Sequence, residues 1–206
     1  MVVDGIYYAL GLGAGAAVIA YLAGALYAAP FLILALFCLY FFRDPNRDIP
    51  AGPVAVSPAD GKVVSIKADN AAATRISIFL NIFDVHVNRS PVAGKIEQVR
   101  YQPGQFLVAS KELASSQNEQ NTVTVLESDG TKVVFAQIAG LIARRIVFRK
   151  AVGDAVGKGE RIGLIKFGSR VDVYFGPEWE IAVKNGERVS AGSSILARKK
   201  SAHALS

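Results

Sequence analysis

In "IGLIKFGSRVDVYF" (residues 162–175) two runs of strand-forming residues are pinched at Phe167-Gly168-Ser169-Arg170. A serine at such a corner is either a turn residue or a nucleophile. It becomes a nucleophile only when a base takes its proton and a third group orients that base. Scarcity narrows the choice of base. The chain has two histidines, His86 in "NIFDVHVNRSP" and His203 in a polar tail. His86 closes an apolar run and is followed by Asn88 and Arg89, a setting that aims it at a cleft. Asp60 in "SPADGK" or Asp84 could orient its ring, although Asp60 in a Pro-x-Asp-Gly setting is equally a turn former. Spacing alone leaves turn and site both open. It does exclude an α/β-hydrolase elbow, because Gly-x-Ser-x-Gly is absent. With Cys38 as the only cysteine and two histidines in all, disulfides and a multi-histidine zinc site are excluded, and no metal is expected.

The elements that must position these residues read as short strands. "GKVVSIKA", "TRISIFLNI", "KIEQVRYQ", "TVTVLES", "KVVFAQIAG", "RRIVFRK", "RIGLIKF" and "RVDVYFG" are rich in Val and Ile and are separated by Gly, Asn, Asp or Pro. "ESDGTK" (127–132) is an Asp-Gly hairpin turn. Only "FLVASKELASSQ" (106–117) reads as a soluble helix. The corner at Gly168-Ser169 is expected to be a hairpin turn as well.

Two internal echoes define the architecture further. "SPADGKVVSI" (57–66) and "SPVAGKIEQV" (90–99) share Ser-Pro-x-x-Gly-Lys-apolar at an offset of 33 residues. "GDAVGKGERI" (153–162) and "GERVSAGSSI" (186–195) share Gly-x-x-Val-x-x-Gly-x-x-Ile at the same offset. The second pair resembles the hammerhead turns of biotinyl- and lipoyl-type sandwiches. A repeated β-unit signals architecture. The expected fold is therefore mostly β, a barrel-sandwich domain over residues 43–206, with an N-terminal helical anchor over 1–42.

That anchor is the uncharged stretch from Gly5 to Phe42. As one helix it would run about 57 Å against a hydrocarbon core of roughly 30 Å, so a break is expected at Gly24 or at Ala29-Pro30. A break at Gly24 leaves two passes, and one at Pro30 leaves a shallow re-entrant run. "MVVDG" lacks the basic start of a signal peptide. The whole chain is formally +6 and Asp4 is the only charge before Arg43, so the remainder carries +7. The basic residues are scattered apart from "ARRIVFRK" and "ARKK", and no nucleic-acid motif accompanies them. Attraction to anionic lipid is the simpler reading. Arg43 and Arg47 beyond the apolar stretch place the β domain on the cytoplasmic side of the cell (inner) membrane.

Taken in order, "YFFRDPNRDIP", "SPADGKV", "FDVHVNRSPVAGKI", "NEQN", "QIAGLIARRIV", "GDAVGKGERIGLIKFGSRVDV" and "GERVSAGSSILA" resemble the phosphatidylserine decarboxylases of the short, membrane-anchored type. The resemblance spans about residues 40–197. It implies a proenzyme that cuts itself at Gly168–Ser169 into chains 1–168 and 169–206, which remain together as a heterodimer, with higher homo-oligomers possible. It implies Asp60, His86 and Ser169 as the processing triad, and a covalent pyruvoyl cofactor derived from Ser169. The pyruvoyl ketone takes the substrate's amine and accepts electrons as carbon dioxide leaves, the role pyridoxal phosphate plays elsewhere. The substrate would be an anionic serine phospholipid, with phosphatidylethanolamine as product. Arg144 and Arg145 are candidates for its phosphate or carboxylate, and Lys166 lies beside the cut.

Two positions depart from the family's longer members. Phe83 stands where they carry a second histidine that is a candidate proton donor in decarboxylation, and Arg170 stands where they place Thr or Ser. Asp84, His86 or water could then protonate the product. Two rival readings are an archaetidylserine decarboxylase, with the same head group on an ether-linked lipid, and a non-catalytic lipoyl-like membrane adaptor. The adaptor needs a modifiable lysine at a hairpin tip. Lys166 is near a turn but lacks the Met-Lys or Asp-Lys setting.

Overall fold

The computed structural model describes residues 2–70, 73–109, 112–141 and 145–200. The chain divides after Asn46 into two compact units.

The first unit is a pair of helices, α1 (Val3–Ala23) and α2 (Ala25–Phe41). Of the two breaks the sequence allows, the chain uses Gly24, whose φ of 102° is open to glycine at little cost. Pro30 stays inside α2, which forgoes one helical hydrogen bond there. The Val2 amide donates to the Phe42 carbonyl at 3.0 Å, so the second helix returns to the start of the first. A side chain at Gly5 would collide with Phe42, and only glycine permits that approach. At 21 residues α1 is long and apolar enough to cross a membrane, while α2 has 17.

The second unit is built of strands. In chain order they are β1 (Val54–Val56), β2 (Gly61–Asn70), β3 (Ala73–Leu80), β4 (Val87–Arg89), β5 (Gly94–Gln102), β6 (Gln120–Leu126) and β7 (Lys132–Ala139). Then follow β8 (Ile146–Phe148), β9 (Ala155–Val156), β10 (Arg161–Ile165), β11 (Ser169–Phe175), β12 (Trp179–Ile181), β13 (Arg188–Val189) and β14 (Ile195–Lys199). One short helix, α3 (Ala114–Gln117), precedes β6. The mostly-β expectation holds. Of the stretch 106–117 expected as a helix, only these last four are helical among the described residues, and Val108 and Ala109 instead line a cavity.

An eight-stranded sheet runs β13-β2-β3-β11-β7-β6-β5-β9, and two three-stranded sheets run β1-β14-β12 and β4-β10-β8. The strand order mirrors the sequence echoes. Val63 donates to the Glu187 carbonyl and Gly186 to the Val63 carbonyl, at 2.8 and 2.7 Å. Thirty-three residues earlier in the second partner, Ile96 donates to Asp154 and Gly153 to Ile96, at 2.9 and 2.8 Å. Gly153, Gly159, Gly186 and Gly192 all sit at positive φ between 74° and 98°. Each hammerhead thus clips one Ser-Pro unit to the rim of the sheet, and the fold is a duplicated unit.

The core lies on one face of the large sheet. Ile76, Ile78 and Leu80 of β3 face Val173, Val171 and Ser169 of β11, and all six are fully buried. The β6–β7 connection is the expected Asp-Gly turn, with Glu127 N donating to Thr131 O at 2.9 Å and Gly130 at φ 86°. The corner before Ser169 is not a hairpin. β10 pairs with β4 and β8, whereas β11 pairs with β3 and β7, so Lys166-Phe167-Gly168 carries the chain from one sheet into another.

Candidate active site

Ser169 opens β11, flanked by Leu80 of β3 and Ala139 of β7. Alternation along the strand turns its side chain toward the core with Val171 and Val173. Its hydroxyl is wholly buried and has no hydrogen-bond partner among the described residues. A buried hydroxyl in that condition costs stability, which marks the position for a purpose other than packing.

The chain reaches Ser169 through an unusual backbone. Phe167 has φ 63° and Gly168 φ 26°. A glycine accommodates this; an aromatic residue in the left-handed region is strained. The pair bends the chain sharply enough to leave one sheet and enter the middle of another. On the far side Gly140, just beyond β7, lies against the Gly168 carbonyl, and a Cβ at Gly140 would overlap that oxygen. The bond preceding Ser169 is therefore gripped on one side and strained on the other.

His86 sits where β4 begins, and its carbonyl accepts the Ile165 amide at 3.3 Å. This pairs the histidine with the last residue of β10, from which the corner departs. Its ring is buried, and Nδ1 lies 2.9 Å from the Asp84 carbonyl oxygen. A carbonyl only accepts, so Nδ1 carries the proton there and Nε2 keeps the lone pair a base needs. Of the two orienting candidates, Asp84 thus acts through its backbone. Its carboxylate accepts the Asn81 amide at 2.9 Å and pairs with Arg188.

Asp60 accepts two hydrogen bonds from Arg47 Nη2, at 2.8 and 3.0 Å, and a third from the Ala191 amide at 2.7 Å. Spacing did not reveal Arg47 as its partner, because the two lie on separate segments. The Asp60 turn also reaches the core face by a path with no sequence signal. Asn88 Nδ2 donates to Pro58 O at 3.5 Å, Gln137 Nε2 to Asn88 Oδ1 at 2.9 Å, and Asn121 Nδ2 to Gln137 Oε1 at 3.2 Å. Gln137 is two residues from Ala139, the β7 neighbour of Ser169, and shares its face.

Behind Ser169 the opposite face of β11 holds a buried ion pair. Arg170 Nε donates to Asp172 Oδ1 at 2.6 Å, Arg170 Nη2 to Ser77 Oγ at 2.5 Å, and Ser115 Oγ to Asp172 Oδ2 at 2.9 Å. Arg170 is 1% exposed and Asp172 fully buried. Arg170, flagged in sequence only as a departure from longer relatives, ties β11 to β3 through Ser77, and its partner Asp172 ties β11 to α3 through Ser115.

Of the two arginines expected to meet an anion, Arg144 lies outside the described residues. Arg145 is exposed, and its carbonyl accepts the Lys166 amide at 3.2 Å, which brings it beside the corner. An open, almost wholly apolar cavity of about 280 Å³ is lined by Gly168 together with Phe79, Asn81, Ile82, Val108, Ala109 and Leu141. Asn118 braces it, donating to the carbonyls of Leu107 and Ala139 at 2.9 and 2.7 Å and accepting the Leu107 amide at 2.9 Å.

The sequence profile described as phosphatidylserine decarboxylase matches residues 34–197. This chain belongs to that family. A phosphatidylserine decarboxylase proenzyme from Solibacter usitatus is 68% identical over 199 residues, covering 97% of each chain. One from Oleidesulfovibrio alaskensis is 47% identical over 176 residues, covering 82% of this chain and 81% of its own. One from Syntrophus aciditrophicus is 48% identical over 172 residues, covering 80% and 81%. As a phosphatidylserine decarboxylase family member the chain is a carboxy-lyase, and the non-catalytic adaptor reading falls. The fold agrees, since Lys166 sits in an inter-sheet corner and not at the hairpin tip a carrier lysine needs.

Proposed function

We propose that the chain cleaves itself between Gly168 and Ser169 and, so matured, decarboxylates phosphatidylserine to phosphatidylethanolamine. The observation that carries this is the buried, unpartnered Ser169 hydroxyl at a corner with Phe167 and Gly168 both at positive φ. The hydroxyl oxygen attacks the Gly168 carbonyl carbon, the C–N bond breaks, and an ester replaces the amide. His86 Nε2 is assigned to take the hydroxyl proton. Asp60, fixed by Arg47 and the Ala191 amide, is assigned the third place in the processing triad. Removal of the Ser169 α-proton then expels Gly168 as a carboxylate. The resulting dehydroalanine takes up water, releasing ammonia and leaving a pyruvoyl group at the head of β11.

That group would act as electron sink for the loss of carbon dioxide. The chain's own residues do the rest. The apolar cavity at Gly168 takes the non-polar part of a lipid and keeps water from the reacting carbon. Arg145, with Arg144, meets the phosphate or carboxylate. Residues 1–42 hold the enzyme on the inner membrane, with the β unit on the cytoplasmic side.

Intact-mass measurement tests the proposal. Two chains are expected, ending at Gly168 and beginning at residue 169 with a blocked N-terminus, while Ser169→Ala remains one chain of 21.9 kDa. Two chains from Ser169→Ala would overturn it. Carbon dioxide release from ester-linked phosphatidylserine, set against its ether-linked archaeal counterpart, decides the lipid backbone.

A further inference from the structure

Three large apolar side chains that line the cavity with Gly168, and a fourth next to one of them in the chain, are exposed. Ile82 and Leu141 line it and are 36% and 59% exposed; Val108 lines it from the third side and is 40% exposed. Phe83, beside Ile82, is 61% exposed. The Ile-Phe pair is held out by design of the turn. Phe83 N donates to the Asn81 side chain at 2.8 Å and Asp84 N to the Asn81 carbonyl at 3.1 Å. The Asp84 carboxylate closes the same turn on the Asn81 amide at 2.9 Å. A tip fixed by three hydrogen bonds does not fold its apolar residues back onto the core. Scattered exposed apolar residues are ordinary; a group gathered on the mouth of one apolar cavity is not.

Building on the proposed function, we infer that Ile82, Phe83, Val108 and Leu141 form a docking rim that enters the bilayer surface and passes a lipid directly into the cavity. Two observations favour a membrane over a protein partner. Three of the rim residues line the same cavity as Gly168, the residue before Ser169, so a lipid entering there comes to the corner without crossing water. The rim is also bordered by cations, with Arg145 exposed and joined through its carbonyl to Lys166 two residues before Gly168. Apolar tip and basic border together match an anionic interface. On this reading Phe83 has exchanged a proton-transfer position for a lipid-contacting one.

The test uses the full-length chain reconstituted in phosphatidylserine-containing vesicles, on a Cys38→Ser background. A fluorophore is attached at Phe83→Cys or, as control, at Ser128→Cys in the β6–β7 turn, at the other end of β7 from Ala139. With a bilayer-embedded quencher in the lipid, a group buried about 5–10 Å into the interface loses emission that a group left in water keeps. The label at 83 is expected to do so and the label at 128 is not. No quenching at 83, as when a protein partner covers the face, overturns the rim. In a second arm Phe83→Ser is assayed on vesicles and on short-chain, monomeric phosphatidylserine. The ratio of kcat/KM on vesicles to that on monomers should fall at least about tenfold. An unchanged ratio overturns the inference. If wild type turns over neither lipid, the proposed function fails, while quenching still reports whether the rim docks.

Discussion

The Gly168 carbonyl and Gly140 touch with no room for a side chain between them. Gly140 follows β7 and Gly168 precedes β11, so the two neighbouring strands meet at the bond proposed to break. Gly140→Ala must push the carbonyl away and misalign the attack of Ser169. Processing is expected to slow at least about tenfold, which corresponds to only 1.4 kcal/mol of barrier. The readout is accumulation of the uncut band on a gel over time. Wild-type cleavage from this variant would show that the contact does not place the carbonyl.

Phe167 stores backbone strain that the proposed cleavage would release. Its left-handed backbone costs about 1 kcal/mol or more relative to a residue at ease there. Phe167→Asn, which tolerates that region, should leave the uncut chain more comfortable and slow cutting by roughly fivefold. A time course in the same cells, with Phe167→Leu as the strained control, distinguishes strain from loss of the ring. Equal rates for Asn and Leu would discount strain.

Arg170 and Asp172 stand or fall together. Removing one partner leaves a buried charge uncompensated, so Arg170→Met should cost about 3–5 kcal/mol. The double variant Arg170→Met/Asp172→Leu should recover a good part of that. Urea unfolding of the Ser169→Ala proenzyme measures all three without interference from cutting. Additive losses would mean that the two residues act separately.

The hammerhead turn at 157–160 is sensitive to acid. The hydrogen bond from Lys150, then that from the Gly157 amide, holds the Glu160 carboxyl below the usual carboxylate range. A lowered folded-state value contributes stability above the unfolded value of about 4.3 and loses it as the pH falls below that. The melting temperature should drop on acidification below pH 5, and Glu160→Gln should flatten the drop. A parallel fall in the variant would place the acid sensitivity elsewhere.

The parts of this molecule legible in sequence are those written locally. Val and Ile at strand spacing marked the sheets, and the glycines of 153–162 and 186–195 marked the turns, because a positive φ leaves few other choices. His86 stood out by scarcity. Pairing was hidden. β10 and β11 adjoin in sequence and read as a hairpin, yet each finds its partners far away, and no residue in the corner announces this. The same holds for Arg47 on Asp60 and Gln137 on Asn88, which are contacts between distant segments. Nor does Phe167 announce its left-handed backbone, since that conformation is imposed on it by the sheets it joins.

Because β11 lies between β3 and β7, a segment severed at Ser169 could not leave without dismantling the sheet. On the proposed chemistry, the reactive carbonyl is consequently the first link of a core strand, aimed by the ladder on either side and not by a tether. It is also irreplaceable. An enzyme with a diffusible cofactor can discard a damaged copy and bind another; this one receives a single copy at birth, and an error at that carbon retires the whole molecule.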